Sequence, residues 1–114
     1  MAVLYGIKNC DTVKKARNWL DNNGIAYQFH DYRADGLTPE QLQHFATSLG
    51  WKTLLNRSST SWRQLSAEQK ADLTEENALQ LMLEIPTLIK RPILDIGSER
   101  LIGFKPDIYQ AKLT

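Results

Sequence analysis

Tyr5-Gly6-Ile7-Lys8-Asn9-Cys10-Asp11-Thr12-Val13-Lys14-Lys15-Ala16 holds the only cysteine of a 114-residue chain. It stands where a short apolar run gives way to helical periodicity. Val3, Leu4 and Tyr5 read as a buried strand, Gly6 breaks it, and Val13, Ala16 and Leu20 recur at the three- and four-residue spacing of one helix face. Cys10 then sits at the mouth of that helix, where unpaired N–H groups carry a partial positive charge. Lys14 and Lys15 add two cations within about a turn and a half. Both effects favour the thiolate, the reactive form, so this reading places the thiol below its free value of about 8.5. The other reading, an inert cysteine packed as a small hydrophobe, stays open at this point.

Working outward, residues 1–34 read as a βαβ half. The helix from Asp11 to Asn22 closes at Gly24, which can take the left-handed conformation. Ile25, Tyr27 and Phe29 then alternate with polar residues as a second strand, laid parallel to the first by the crossover. Residues 35–86 read as a helical insertion. Thr38, Pro39 and Gln41 open a helix as N-cap, N1 proline and capping-box partner, with Leu42, Phe45, Ala46 and Leu49 as its apolar face. After Gly50, short helical pieces run through Trp51, Leu54, Leu55, Trp62 and Leu65. Ser66 with Gln69, and Thr74, start further helical segments, the last one facing the core with Ala78, Leu79, Met82 and Leu83. That makes three helical segments in the insertion. Residues 87–114 read as a ββα half: Ile93, Leu94 and Ile96, a turn at Gly97-Ser98-Glu99, then Leu101 and Ile102, and a final helix from Pro106 packing through Ile108, Ala111 and Tyr109. The order is that of a thioredoxin-like α/β fold, βαβ…ββα, with a helical insertion between its halves, in one domain.

A net charge of +1 gives no electrostatic footprint for nucleic acid. No window approaches the roughly 18 apolar residues of a membrane span, and the N-terminus enters a strand at once, which predicts no signal peptide. A lone cysteine makes no internal disulfide, so a cytoplasmic location is expected; nothing in the sequence argues for a stable oligomer, and a monomer is expected. His30 and His44 have no Cys or His at ligand spacing, and no metal or bound cofactor is expected.

Four stretches together resemble the arsenate reductase (ArsC)/Spx family, most closely its small YffB branch: Tyr5 to Arg17, Trp51 to Arg57, Ile89 to Ile93, and Gly103-Phe104-Lys105-Pro106. The resemblance spans essentially the whole chain. It implies that Cys10 is the nucleophile, relieved by glutathione as co-substrate or by a thiol protein such as glutaredoxin. The second cysteine of the C-x-x-C switch in Spx-type members falls on Val13, so any disulfide must form with an external thiol.

The family's arsenate reductases hold their oxyanion with three arginines, since an anion beside a thiolate needs planar guanidinium donors. Arg91 matches one of them. The first lines up with Asn56, with Arg57 one place on, and the third with Lys105, with Arg100 a few residues earlier. Arg57, Arg100 and Lys105 read equally as solvated surface charges, and Lys14 joins them as a substrate-binding cation. Arg91-Pro92 falls on the family's cis-proline step, which an ordinary trans proline opening an edge strand would also fit. The Thr12 hydroxyl either reaches the thiolate or caps the helix.

Three functions follow from the resemblance. The first is a glutathione-dependent thiol reductase, working on a small anion or disulfide substrate through a mixed disulfide in a cationic pocket. The second is an Spx-like regulatory protein docking on RNA polymerase, and the third is arsenate reduction.

Overall fold

In the computed structural model, which describes residues 2–114, strand β1 (Ala2–Gly6) lies inside a four-stranded mixed sheet. Helix α1 (Asp11–Asn22) connects it to β2 (Tyr27–Asp31), and the order across the sheet is β2-β1-β3-β4, with β3 (Ile93–Asp95) and β4 (Arg100–Ile102) joined as a hairpin. Helix α7 (Pro106–Leu113) ends the chain. Strand β1 pairs parallel with β2 and antiparallel with β3, with Leu4 opposite Phe29 and Leu94, and Leu94 opposite Leu101. The thioredoxin-like α/β reading thus holds, with a parallel βαβ and an antiparallel hairpin.

The chain divides into two compact units, the residues up to Gly36 with Arg91–Thr114, and Leu37–Lys90. In the first unit the period-two alternation of β1 sends Leu4 to the α1 face and Tyr5 to the other. Leu4 joins Val13, Ala16, Leu20, Leu94, Leu101 and Tyr109 in one core cluster. Each fully buried leucine here contributes on the order of 1.5–3 kcal/mol relative to an exposed one. Tyr109 fixes the phase of α7, packing edge-on against Trp19 and Phe104 at ring-centroid distances of 5.7 and 4.9 Å. The expected Ile108 and Ala111 face is therefore corrected: Ile108 is 42 % exposed, while Tyr109 is buried. A large ring gains more by burial than the smaller chains beside it.

The second unit holds five helices, α2 (Pro39–Leu49), α3 (Trp51–Leu54), α4 (Thr60–Arg63), α5 (Ala67–Lys70) and α6 (Glu75–Glu84), then a 3-10 turn at Pro86–Leu88. Both capping boxes form: the Gln41 N–H donates to Thr38 Oγ1 at 3.1 Å and the Gln69 N–H to Ser66 Oγ at 3.1 Å. Thr74 caps α6 by accepting from the Asn77 N–H. The short helical pieces expected between Trp51 and Leu65 are α3 and α4, each about one turn, and Ser59 caps α4 by accepting from the Trp62 N–H at 3.1 Å. Leu42, Phe45, Leu54, Leu55, Met82, Leu88 and Ile89 form its buried interior. A one-residue bridge between Leu55 and Ile89 ties the exit of α3 to the last residues of the unit, with the Asn56 N–H donating to the Leu88 carbonyl and the Lys90 N–H to the Leu54 carbonyl, both at 2.8 Å. Among the described residues no helix is long and apolar enough to cross a membrane.

Candidate active site

Cys10 is the N-cap residue of α1, at φ −86° and ψ 126°, and its carbonyl accepts the first helical hydrogen bond from the Lys14 N–H at 3.0 Å. The turn leading to it closes with the Cys10 N–H donating to the Ile7 carbonyl at 3.1 Å. Asp31 anchors that turn to the end of β2, accepting from the Lys8 N–H at 3.2 Å and the Arg33 N–H at 2.8 Å. Burial pushes the Asp31 carboxyl up, but the N–H groups of Arg33, Lys8 and Ala34 outweigh it and hold the carboxyl below its ordinary value. Gly6 lets β1 and α1 meet, since a Cβ there would stand 2.7 Å from Val13 Cγ2. The start of α1 is thus pinned from the strand side and from the β2 side.

The thiol is half-buried and packs beside the core. Burial alone pushes it up, because desolvation disfavours the thiolate. The Val13 N–H, the Arg91 guanidinium as donor and as charge, and the Thr12 N–H outweigh that, and the thiol lies below its ordinary value. Sγ closes no capping hydrogen bond of ordinary geometry. The helix-end N–H groups therefore act on it mainly as oriented dipoles. The reactive reading of Cys10 gains a cause that the local sequence did not show, Arg91 from the start of β3. Lys14 and Lys15 are exposed on α1 and are not among the groups that shift the thiol. The expected lysine effect is corrected accordingly. Exposed ammonium groups are screened by water, whereas a guanidinium in contact with the sulfur is not.

Thr12 contributes its backbone N–H, so neither role proposed for its hydroxyl is needed; the cap position belongs to Cys10. The Arg91–Pro92 peptide bond is cis, as the resemblance implied, and the buried Pro92 accepts at its carbonyl from the Gly103 N–H at 2.8 Å. Arg100 is neutralised within the sheet: Asp95 stands opposite it in the β3–β4 register, with Arg100 Nε 3.4 Å from Asp95 Oδ2. That contact is an ion pair rather than a directed hydrogen bond, because Nε has no well-aligned acceptor. Both groups also act on Tyr5, whose hydroxyl is raised by burial and by Asp95 and lowered by Arg100. Lys105 is exposed at the N-cap of α7. Asn56 and Arg57 lie in the second unit. Asn56 Oδ1 accepts from the Ser58 N–H at 3.1 Å, and the Arg57 guanidinium sits over the Trp62 ring at 5.4 Å.

The structure therefore joins Cys10, the Thr12 N–H and Arg91, and gives Arg100, Asn56 and Arg57 local partners of their own. Sequence reasoning missed Tyr32, which is buried and whose phenol is acted on by Arg91. Its position just beyond an amphipathic strand gave no periodic signal. Among the described residues no group of three or more His, Cys, Asp or Glu is placed to hold a metal ion.

A thioredoxin-like sheet with one half-buried cysteine at the mouth of its first helix and a cis-proline step beside an arginine defines the class. Residues 5–112 match the ArsC family, and the chain belongs to that family. The chain is 54 % identical to a YffB protein of known structure, each chain covering the other fully, with a TM-score of 0.96. It is 43 % identical to an arsenate reductase (ArsC) related protein from Brucella melitensis, over 99 % of this chain and 94 % of that one, with a TM-score of 0.79. It is 29 % identical to the global transcriptional regulator Spx 1 of Lactococcus lactis, over 99 % of this chain and 89 % of that protein.

Proposed function

We propose that the protein is a glutathione-dependent thiol reductase acting through Cys10. The observation that carries this reading is the contact of Arg91 with the sole thiol of the chain, which holds it below its ordinary value. The Cys10 thiolate attacks a glutathione mixed disulfide R–S–S–G at the glutathionyl sulfur; the Cys10–S–S–G bond forms, the R–S bond breaks, and R–S⁻ leaves with the electron pair. Glutathione then attacks Cys10–S–S–G, releasing Cys10 as thiolate and oxidised glutathione, and its thiol proton goes to solvent. No second cysteine competes for the intermediate. Arg91 serves twice, first on the sulfur and then on a carboxylate of the tripeptide, where a guanidinium gives two parallel donors. Turnover of a small glutathione mixed disulfide in the presence of glutathione, lost in Cys10→Ser, tests the reading; turnover retained in Cys10→Ser contradicts it.

A second reading, a regulatory protein docking on RNA polymerase, is favoured by the full-length similarity to the Spx regulator. Val13 in place of a second cysteine removes the internal redox switch from that reading. An ordinary thiol pKa at Cys10 together with a stable complex with the polymerase would support it over the enzyme. Arsenate reduction ranks third, since Arg91 alone matches the arginine set that the resemblance calls for.

A further inference from the structure

Asp31 ends β2 opposite Gly6 and uses both of its carboxylate oxygens beyond the strand. Oδ1 closes a local turn, accepting from the Arg33 N–H at 2.8 Å and the Ala34 N–H at 3.3 Å. An asparagine or a serine closes such a turn as well, because one oxygen is enough. Oδ2 is used elsewhere, accepting at 3.2 Å from the N–H of Lys8, 23 residues back along the chain. An amide offers one acceptor oxygen, and its NH2 group would meet the Lys8 N–H donor to donor. The carboxylate at this position is therefore explained by the contact with Lys8 and not by the turn.

Lys8 lies in the turn that delivers Cys10 to the mouth of α1. Ile7 is buried and Cys10 half-buried, whereas Lys8 and Asn9 between them are exposed. Packing thus holds the ends of the turn, and Asp31 holds its tip. The anchor is itself braced, by the Tyr32 N–H donating to the Gly6 carbonyl at 2.9 Å and the Asp31 N–H donating to Asp35 Oδ2 at 3.0 Å. Against the cost of burial, the N–H groups of Arg33, Lys8 and Ala34 and the Arg33 charge hold the Asp31 carboxyl below its ordinary value, so it stays ionised at neutral pH. Resting on the reading of Cys10 as the nucleophile, we propose that Asp31 is a positioning residue for the thiol. Its Oδ2, through the Lys8 N–H, fixes the Ile7–Cys10 turn and with it the placement of Sγ at the start of α1. A looser turn lets the sulfur drift from the helix-end N–H groups, and the thiolate then loses part of their support.

The test is Asp31→Asn, which keeps the oxygen for the turn and removes the acceptor for Lys8, read as iodoacetamide alkylation rate of Cys10 against pH. Asp31→Ser makes the same change and replaces it if the asparagine variant does not fold. Asp35→Asn is the control, because it removes a nearby carboxylate charge and keeps an oxygen for the Asp31 N–H. The expected result for Asp31→Asn is a rate lowered about two- to fivefold at about pH 6, the size of a helix-end contribution, converging with the native rate above about pH 9. Loss of the negative charge alone acts in the opposite sense, since it favours the thiolate. A rate at pH 6 that is unchanged or raised in Asp31→Asn therefore overturns the proposal while leaving the reading of Cys10 intact. An equal fall in Asp35→Asn also overturns it, because that variant keeps the Lys8 contact. A native profile centred at the ordinary thiol value of about 8.5 removes the reading and the proposal together.

Discussion

The Arg91 guanidinium lies beside the Cys10 thiol, although one residue precedes strand β3 and the other precedes helix α1. The two meet because β1 and β3 are paired neighbours in the sheet, with Tyr5 opposite Ile93, which brings the chain end before β3 to the end of β1. The cation that tunes the thiol is thus supplied by sheet topology rather than by the helix that carries the cysteine.

Arg91→Leu should raise the Cys10 pKa toward its ordinary value, whereas the double charge reversal Lys14→Glu, Lys15→Glu should move it much less. Iodoacetamide alkylation rate against pH reads both. A shift in the lysine double variant as large as that in Arg91→Leu would return the effect to the helix surface.

Arg91→Lys should keep the fold, since the stem still packs and the charge remains. It should weaken glutathione binding about tenfold to a hundredfold, the loss of one charge-assisted hydrogen bond of roughly 1.5–3 kcal/mol. Calorimetric titration of the reduced protein with a glutathione analogue lacking the thiol reads this directly. Equal affinity in the two proteins would make Arg91 a modulator of the thiol and not a ligand for the tripeptide.

The lowered Cys10 pKa also sets a pH dependence of stability. The unfolded thiol titrates near its ordinary value of about 8.5, and the folded one below it. A depressed acid stabilises the fold fully above the unfolded value, and that contribution is lost as pH falls through the folded one. The difference in thermal midpoint between the native chain and Cys10→Ala should therefore be larger at about pH 9 than at about pH 5. A difference that grows toward acid would mean that the folded pKa is raised.

The β1 to α1 junction was legible in the sequence because each local signal agreed: Gly6 for close approach, Val13, Ala16 and Leu20 for the buried face, and Cys10 at the helix mouth. The hairpin and its cis proline were legible through the residue pattern and the resemblance. What the chain order hid was pairing at a distance. Asp95 faces Arg100 across the hairpin and removes it from the free cations. Arg57 spends its guanidinium on Trp62. The partner of Cys10 is fixed by β1–β3 pairing, and the Leu55–Ile89 bridge is too short to leave an alternating pattern.

Gly6→Ala should destabilise the fold by about 1–3 kcal/mol, the usual range for overpacking a tight contact, because the new methyl meets Val13 Cγ2. Combining it with Val13→Ala should lose less than the sum of the single effects. Urea unfolding of the four proteins measures the coupling; additive losses would mean that the two positions do not meet.

The central claim is that Cys10 is a thiolate nucleophile that takes up glutathione. Intact mass after incubation with oxidised glutathione at neutral pH tests it most directly. The native chain should gain one glutathionyl group, removed again by excess reduced glutathione, while Cys10→Ser gains none. A native chain left unmodified under conditions that modify an ordinary exposed cysteine would contradict the account.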